Sequence, residues 1–322
     1  MKKLAILTSG GDSPGMNAAV RASVRSAAHF GYKATGVMFG YRGLIKGDFI
    51  ELENNDVSGI IQRGGTILKT ARSEEFMTPE GRAKAARHLK KIGADALVAI
   101  GGDGTFRGAT ILADEHGINV VGVPATIDND LVGSDETIGY DTALNTAMEG
   151  IDKIRDTADA HERLFLVEVM GRHAGFIALE TGIASGAEMI ILPEGLKRIG
   201  EIKMNLNEIM KTKSRSTLVV IAEGESTGGA VQIGSKLEKD FGKYDMRVCI
   251  LGHIQRGGSP TAHDRVLASR LGFEAVKAIQ NGESKVMVGV INNECIITPI
   301  QETFGKIKKI NFDLLKMARI LR

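Results

Sequence analysis

Tryptophan is absent from this chain, tyrosine occurs only 4 times and aromatic residues make up 5% of it. Single-stranded nucleic acid is gripped by aromatic platforms, so that class of partner is not expected. Neither sign of charge dominates. Against 41 Lys and Arg stand 39 Asp and Glu, a net charge of +2, which gives no basic field to draw in a polyanion. The 2 cysteines, Cys249 and Cys295, rule out a disulfide framework; both sit in apolar runs and read as buried reduced thiols. No apolar run reaches the ~18 residues that a membrane span needs. No signal peptide precedes the first apolar run. A soluble cytoplasmic protein without a membrane partner is the expectation. Two common nucleotide motifs are missing as well. There is no Gly-x-x-x-x-Gly-Lys-[Ser/Thr]. The run Gly102-x-Gly104 is followed by Gly108, one residue too late for a dinucleotide fingerprint, and Asp103 would face the pyrophosphate.

What the chain has in abundance is glycine, 40 residues in 322, and much of it stands at the ends of apolar runs. Ala96–Ile100 has the character of a buried strand and leads into Gly101-Gly102-Asp103-Gly104-Thr105. A helical pattern begins at Phe106, with Thr105 as its N-cap. The glycines let the chain bend tightly and let a ligand approach the backbone. The helix start offers free N–H groups to an anion. Asp103 would repel a phosphate unless a cation lay between them, so the stretch predicts a phosphate held together with Mg²⁺. Leu4–Thr8 followed by Ser9-Gly10-Gly11-Asp12-Ser13-Pro14-Gly15 is a partial echo, with Ser13 and Pro14 as N-cap and first helical residue of a helix reaching His29.

Further apolar runs alternate with helical patterns. Strands are expected at 119–123, 164–170, 189–192, 216–222, 248–251, 286–290 and 294–298. Helices are expected at 79–92, 139–160, 201–213, 261–280 and 310–321. Val37–Gly47, preceded by Gly36 and holding Gly40, Gly43 and Gly47, reads as a strand leaving into a loop. This alternation predicts an α/β fold of two lobes, each a mostly parallel sheet flanked by helices, with the active site in the cleft between them.

Several strand ends carry chemistry. Pro124–Asp130 places Asp128 and Asp130 two apart; if that segment is extended they point to one side, where one orients or ligates and the other accepts a proton. A plain Asx turn is the other reading. Gly171-Arg172-His173 and His253-Ile254-Gln255-Arg256-Gly257-Gly258 suit oxyanions, as do Arg72 and Ser73. Arg21 and Arg25 share a helix face, either an anion site or a solvated basic edge. Carboxylates, arginines and a magnesium-type turn together suit phosphoryl transfer.

The stretches Thr8–Asn17, Gly101–Thr105, Pro124–Asp130, Val169–Arg172 and Leu251–Gly258 closely resemble those of bacterial ATP-dependent 6-phosphofructokinases, and the resemblance runs end to end, weakest over 290–322. It implies a glycolytic kinase that phosphorylates fructose 6-phosphate at its 1-hydroxyl. Residues 1–139 with 255–306 would form the ATP and Mg²⁺ lobe, and 140–254 with 307–322 the sugar-phosphate lobe. Gly11, Arg72, Ser73 and Gly102, Asp103, Gly104 and Thr105 would line the ATP site, with Asp103 on the metal. Asp128 would be the base, flanked by Thr126 and Asp130, and Arg72 and Arg172 would offset charge on the moving group. Met170, Gly171, Arg172, Glu223, His253 and Arg256 would hold the sugar phosphate, joined by Arg163 and Arg247 from a neighbouring subunit. The resemblance therefore implies a homo-oligomer, a tetramer by family habit. An effector site for ADP or phosphoenolpyruvate would use Arg21, Arg25, Arg155, Gly186, Ala187 and Glu188. Gly59, Thr212, Ser214 and Ser216 depart from the family there. Pyrophosphate-dependent relatives typically carry Asp where this chain has Gly104 and Lys where it has Ala125, so the pair favours ATP as donor.

Overall fold

The computed structural model describes residues 2–159, 163–195, 198–212, 216–224, 226 and 228–322. They group into two compact units. The first holds 1–127, 131–142 and 256–308; the second holds 128–130, 143–255 and 309–322.

The first unit is built on β1 (Lys3–Thr8), β2 (Lys33–Val37), β3 (Phe49–Leu52), β4 (Ala96–Gly101), β5 (Asn119–Pro124), β10 (Val286–Ile291) and β11 (Glu294–Pro299), in the sheet order β11-β10-β5-β4-β1-β2-β3. The inner pairs are parallel and the edge strands β3 and β11 are antiparallel. Helices α1 (Met16–His29) and α9 (Ala262–Gln280) pack on one face, where Ile6, Val20, Val98, Val123, Leu271 and Val288 are buried. The other face is covered by α2 (Gly40–Lys46), α3 (Pro79–Lys91) and α4 (Asp103–His116), which bury Leu7, Leu44, Leu89, Leu97, Phe106 and Leu112. Both faces being covered explains why β1, β4 and β5 hold unbroken apolar runs rather than alternating. From β1 the chain turns one way to β2, while β4 lies on the other side, so the order reverses between β1 and β4. In open α/β sheets that is where ligands bind, outside the carboxyl ends of the strands.

The second unit carries a parallel four-stranded sheet, β7 (Met189–Ile191), β8 (Thr217–Ala222), β6 (Leu164–Val169) and β9 (Arg247–Ile250), in that order. Helices α7 (Ile199–Thr212) and α8 (Ala230–Phe241) bury Leu206, Ile233, Leu237 and Phe241 against Leu166, Val219 and Ile221. Helix α6 (Phe176–Ala184) packs on β7 and β8, with α10 (Phe312–Leu321) beside it. Helix α5 (Tyr140–Asp159) begins in the first unit and continues in the second. None of the described helices is long and apolar enough to cross a membrane.

The structure revises several local expectations. Residues 40–46 form helix α2, not a loop. Glycine disfavours helix, but packing prevails, since a Cβ on Gly43 would stand 1.6 Å from the Met38 carbonyl oxygen and Tyr41, Leu44 and Ile45 are buried. Helix α4 starts at Asp103, capped by Gly102 without a side-chain bond, so Thr105 lies inside the first turn rather than capping it. Helix α1 starts at Met16 after Gly15, whose φ is 110°; Ser13 supplies only its carbonyl, to Met16 N. Cys249 and Cys295 are half-buried on the edge strands β9 and β11, not enclosed.

The start of α5 is tied to α9 by a buried carboxylate. Asp264 accepts from Gly139 N at 2.7 Å and Thr142 N at 2.8 Å. Burial pushes its carboxyl upward, opposed by the bonds from Thr142 and Gly139. Its neighbour His263 pairs with Glu136. Burial works against the imidazolium, yet the hydrogen bond and charge of Glu136, with Asp141 and Asp264, raise His263 above the usual histidine value. A raised value means that the pair stabilises the fold fully below the unfolded histidine range and loses that contribution as pH rises through the folded one. The gap in Tm between the wild type and His263→Gln is therefore expected to be widest near pH 6 and to shrink by about 1–2 °C on going to pH 9. Thermal scans across that range check it, and a gap independent of pH would refute it.

Candidate active site

The carboxyl ends of β1 and β4 lie side by side, and the chain there leaves no room for side chains. Ser9 N donates to the Ile100 carbonyl at 3.0 Å. A Cβ on Gly101 would stand 2.4 Å from Thr105 Oγ1 and 2.5 Å from the Ser9 carbonyl oxygen. Only glycine fits. Phe106, fully buried against Gly122, pins the first turn of α4 to the sheet, a contact worth about 3–5 kcal/mol on truncation to alanine. Gly102 lies against Thr126, whose carbonyl accepts from Thr137 Oγ1 at 2.6 Å. Thr105 Oγ1 is buried and lacks a hydrogen-bond partner, which suits a turn shaped for an anion. Gly104 is different. It is exposed, its φ is ordinary, and a Cβ there would meet nothing within 4 Å. The fold does not require glycine at that position.

Asp103 is half-exposed at the helix start. Arg107 Nε donates to its Oδ2 at 2.7 Å, and Gly305 N donates to its Oδ1 at 3.1 Å. The Asp103 carboxylate raises the Arg107 guanidinium above its ordinary value, chiefly through that hydrogen bond. Among the described residues no group of three or more His, Cys, Asp or Glu could hold a metal ion. A lone carboxylate beside a phosphate turn suits Mg²⁺, which takes one or two protein carboxylates and completes its shell with phosphate and water.

Two residues that carry no role in the sequence reading, Tyr41 and Phe76, support this turn. Tyr41 donates its hydroxyl to the Thr105 carbonyl, and burial pushes that hydroxyl far above its usual value. Its ring stacks on Phe76, with centroids 4.0 Å apart, and both rings abut Gly108. Phe76 N in turn donates to Ser73 Oγ at 3.3 Å. The Tyr41–Phe76 pair thereby links the Arg72–Ser73 segment to the glycine turn. The echo at Gly10–Gly11 belongs to the same unit. Gly11 lies under the Arg256 guanidinium, which donates from Nη1 to the Asp12 carbonyl at 3.2 Å. Arg72 is exposed.

In the second unit the ends of β6, β8 and β9 gather another set. Gly171, with φ 139°, has the Ala174 carbonyl where a side chain would start. Arg172 follows in the left-handed region, φ 54°, which a non-glycine residue adopts only when its surroundings force it. The forcing contacts are visible. Arg172 N donates to Glu223 Oε1 at 2.7 Å, and Gly224 passes so close that a Cβ would stand 1.6 Å from the Arg172 carbonyl oxygen. Met170 N donates to Gln255 Oε1 at 3.3 Å, which fixes the start of the His253 loop. His253 itself is exposed. Asp128 is only 2% exposed and pairs with Arg172 Nε at 3.3 Å. Residues 127–128 form a turn and Asn129 has φ 50°, so the segment is not extended. Asp128 is enclosed, whereas Asp130 is half-exposed, and the two are not equivalent. The Arg172 guanidinium thus stands against a buried carboxylate and offsets part of the cost of burying it.

Arg163 and Arg247 converge on Asp245, at 2.6 and 2.7 Å. Of the expected effector residues, Arg21 and Arg25 lie on α1, where burial and the charge of Arg25 lower the Arg21 guanidinium. Arg155 Nη2 donates to the Gly186 carbonyl at 3.0 Å and faces Glu188 at 3.6 Å; Glu188 is buried and accepts from Leu218 N at 2.6 Å. Gly59 is exposed with φ 67°, and Ser216 is buried. Ser214 lies outside the described residues.

The phosphofructokinase family model matches residues 3–279. An ATP-dependent 6-phosphofructokinase 1 of Thermus thermophilus is 54% identical over 100% of this chain and 99% of its own length. Among solved structures, phosphofructokinase from Saccharomyces cerevisiae superposes with a TM-score of 0.88 and 40% identity, over 94% of this chain and 45% of that longer one. A pyrophosphate-dependent phosphofructokinase from Marinobacter aquaeolei shares the fold, with a TM-score of 0.84 over 97% of this chain and 86% of its own, at only 21% identity. A glycine-walled turn at a helix start, a buried aspartate beside an arginine with positive φ and this likeness along the whole chain agree, and the chain belongs to the phosphofructokinase family.

Proposed function

We infer that this chain is an ATP-dependent 6-phosphofructokinase, transferring the γ-phosphoryl group of ATP to the 1-hydroxyl of fructose 6-phosphate to give fructose 1,6-bisphosphate and ADP. The observation that carries the reading is Asp128, a buried carboxylate held against Arg172, in a chain 54% identical to an ATP-dependent 6-phosphofructokinase. Asp128 takes the proton of the 1-hydroxyl as its oxygen attacks phosphorus, and the bond to the ADP oxygen breaks. Thr126 and Asp130 flank that carboxylate, and Arg172 and Arg72 take up charge on the moving group. Met170, Gly171, Glu223, His253 and Arg256 orient the sugar phosphate. We assign the nucleotide to residues 1–139 with 255–306, where Gly11, Ser73 and Gly102–Thr105 lie, and the sugar phosphate to 140–254 with 307–322. Asp103 would hold Mg²⁺, which neutralises charge on the donor's phosphates when bound. A cytoplasmic location fits water-soluble phosphorylated substrates.

The choice of donor rests on two small residues. Gly104 is free of packing duties, so its lack of a side chain leaves space for a nucleotide. Ala125 is 1% exposed, and a lysine there would have to be buried. Asp128→Asn is expected to lower kcat about 10²–10⁴-fold with little change in either KM. Gly104→Asp should fold as the wild type does while losing ATP affinity. A coupled assay with ATP or pyrophosphate as donor measures both. Near-normal turnover in Asp128→Asn, or equal rates with the two donors, would overturn the reading.

We further propose that the working form is a tetramer in which Arg163 and Arg247 reach the 6-phosphate of a neighbouring copy. Strand β9 is a sheet edge with Val248 and Ile250 exposed, and Ile254 follows close by, an unpaired apolar edge of the kind that assembly covers. The effector residues Arg21, Arg25, Arg155, Gly186, Ala187 and Glu188 would belong to that assembly. Charge is missing at Gly59, Thr212, Ser214 and Ser216, and losing charged partners costs a phosphate ligand ~1–3 kcal/mol each. ADP activation is therefore expected to be weak. Sedimentation should give a tetramer, and ADP added at sub-saturating fructose 6-phosphate should raise the rate little. A monomer at assay concentration, or full activation at micromolar ADP, would count against the respective half of this proposal.

A further inference from the structure

The Asp103 carboxylate is engaged before any ligand arrives. Arg107 reaches it with two groups, Nε at 2.7 Å from Oδ2 and Nη2 at 3.4 Å from Oδ1. The guanidinium lies over the Phe304 ring, 5.0 Å from its centroid. Beneath it is Gly305, with φ 68°, where a Cβ would stand 3.0 Å from Nη2. An exposed ion pair one helical turn apart is ordinarily a weak surface feature. This one has a shaped seat, and it sits on the one carboxylate of the glycine turn.

Charge then dictates the consequences. Without Arg107, the carboxylate would keep only the neutral Gly305 N–H, and its charge would repel an incoming polyphosphate unless a divalent cation lay between them. With Arg107 in place that repulsion is cancelled. The same guanidinium competes with a metal ion for the carboxylate, because two cations cannot share it without strong repulsion at such range. The side chain of Arg107 is 50% exposed, so it can turn away into solvent when a metal takes its place.

We propose that Arg107 is a resident counter-cation for Asp103 and a specificity-determining residue of the nucleotide site: it occupies the carboxylate in the empty site, yields it to the metal, and so sets how strongly nucleotide binding depends on the divalent cation. This rests on the assignment of Asp103 as the metal carboxylate. The quantity to measure is a coupling between two ligands, not a rate.

Isothermal calorimetry with the β,γ-imido analogue of ATP, in EDTA and in excess Mg²⁺, gives the ratio of the two Kd values. In Arg107→Met the ratio is expected to rise about tenfold, because metal-free nucleotide meets an uncancelled carboxylate while the metal-bound form loses a competitor. Arg107→Lys keeps the charge and should stay within about threefold of the wild type; behaviour like that of the methionine variant would overturn the charge argument. Asp103→Asn alone should bring the ratio down toward one. A ratio in Arg107→Met that rises less than about threefold, or falls, overturns the proposal, provided that Asp103→Asn lowers it. If Asp103→Asn leaves the wild-type ratio intact, the assignment of the metal to Asp103 fails instead.

Discussion

The approach of β1 to β4 at their carboxyl ends governs the arrangement of the glycine turns in the first unit. The Ser9 carbonyl oxygen and the Thr105 hydroxyl both lie about where a Gly101 side chain would begin. The strands can therefore run in register to their last residues, Thr8 opposite Ile100, and both glycine turns emerge at one edge of the sheet. The parallel arrangement brings the start of α4 to that edge with its N–H groups facing outward. The neighbouring features serve this turn. Phe106 fills the space beside Gly122, Tyr41 holds the Thr105 carbonyl, and Phe76 carries the Ser73 segment to the same place.

The second unit solves a different problem, how to bury a carboxylate beside a cation that offsets its charge. Asp128 has a guanidinium beside it, but Arg172 is itself held in a backbone conformation that a free arginine would avoid. Residues in that state cost roughly 1–3 kcal/mol each, which the surrounding contacts must offset. Here Glu223 binds the Arg172 amide and Gly224 closes over its carbonyl. The end of β8 thereby sets the conformation of the residue that attends the carboxylate. An arginine on a relaxed loop would give the same charge without the same direction.

The parts of this arrangement were unequally legible in the sequence. Apolar runs ending in glycine announced β1, β4 and β6, because covered parallel strands need unbroken apolar runs and tight exits. Helix α2 was not legible. Its glycines argue against a helix, and only tertiary contact at Gly43 and burial of Tyr41, Leu44 and Ile45 decide for one. Tyr41 was legible only as a loop residue for the same reason. Helix α8 is a plainer omission, since Ala230, Ile233, Leu237 and Phe241 fall at helical spacing and are buried together. The pairing of Asp128 with Asp130 depended on an extended segment, and the turn at 127–128 removed the premise. Arg107 could have been found at four residues from Asp103, but i,i+4 pairs are common, and the seat made by Phe304 and Gly305 lies some two hundred residues away in the chain.

Glycine itself separates into two kinds here, and the distinction bears on function. At Gly101, Gly171 and Gly224 a side chain would collide with backbone or with a fixed neighbour. Those glycines record architecture, and any member of the fold with the same close approaches would need them, whichever donor it uses. At Gly104 the backbone is ordinary and the space beyond is open. A glycine in the first turn of a helix that neither packing nor φ demands costs stability relative to alanine. Its retention is best explained by something outside the chain that needs the room. The fold is common to an enzyme that uses pyrophosphate and to this one, so the fold does not choose the donor. Under the function proposed above, that choice lies at positions such as Gly104, where the protein leaves space that its own structure does not fill.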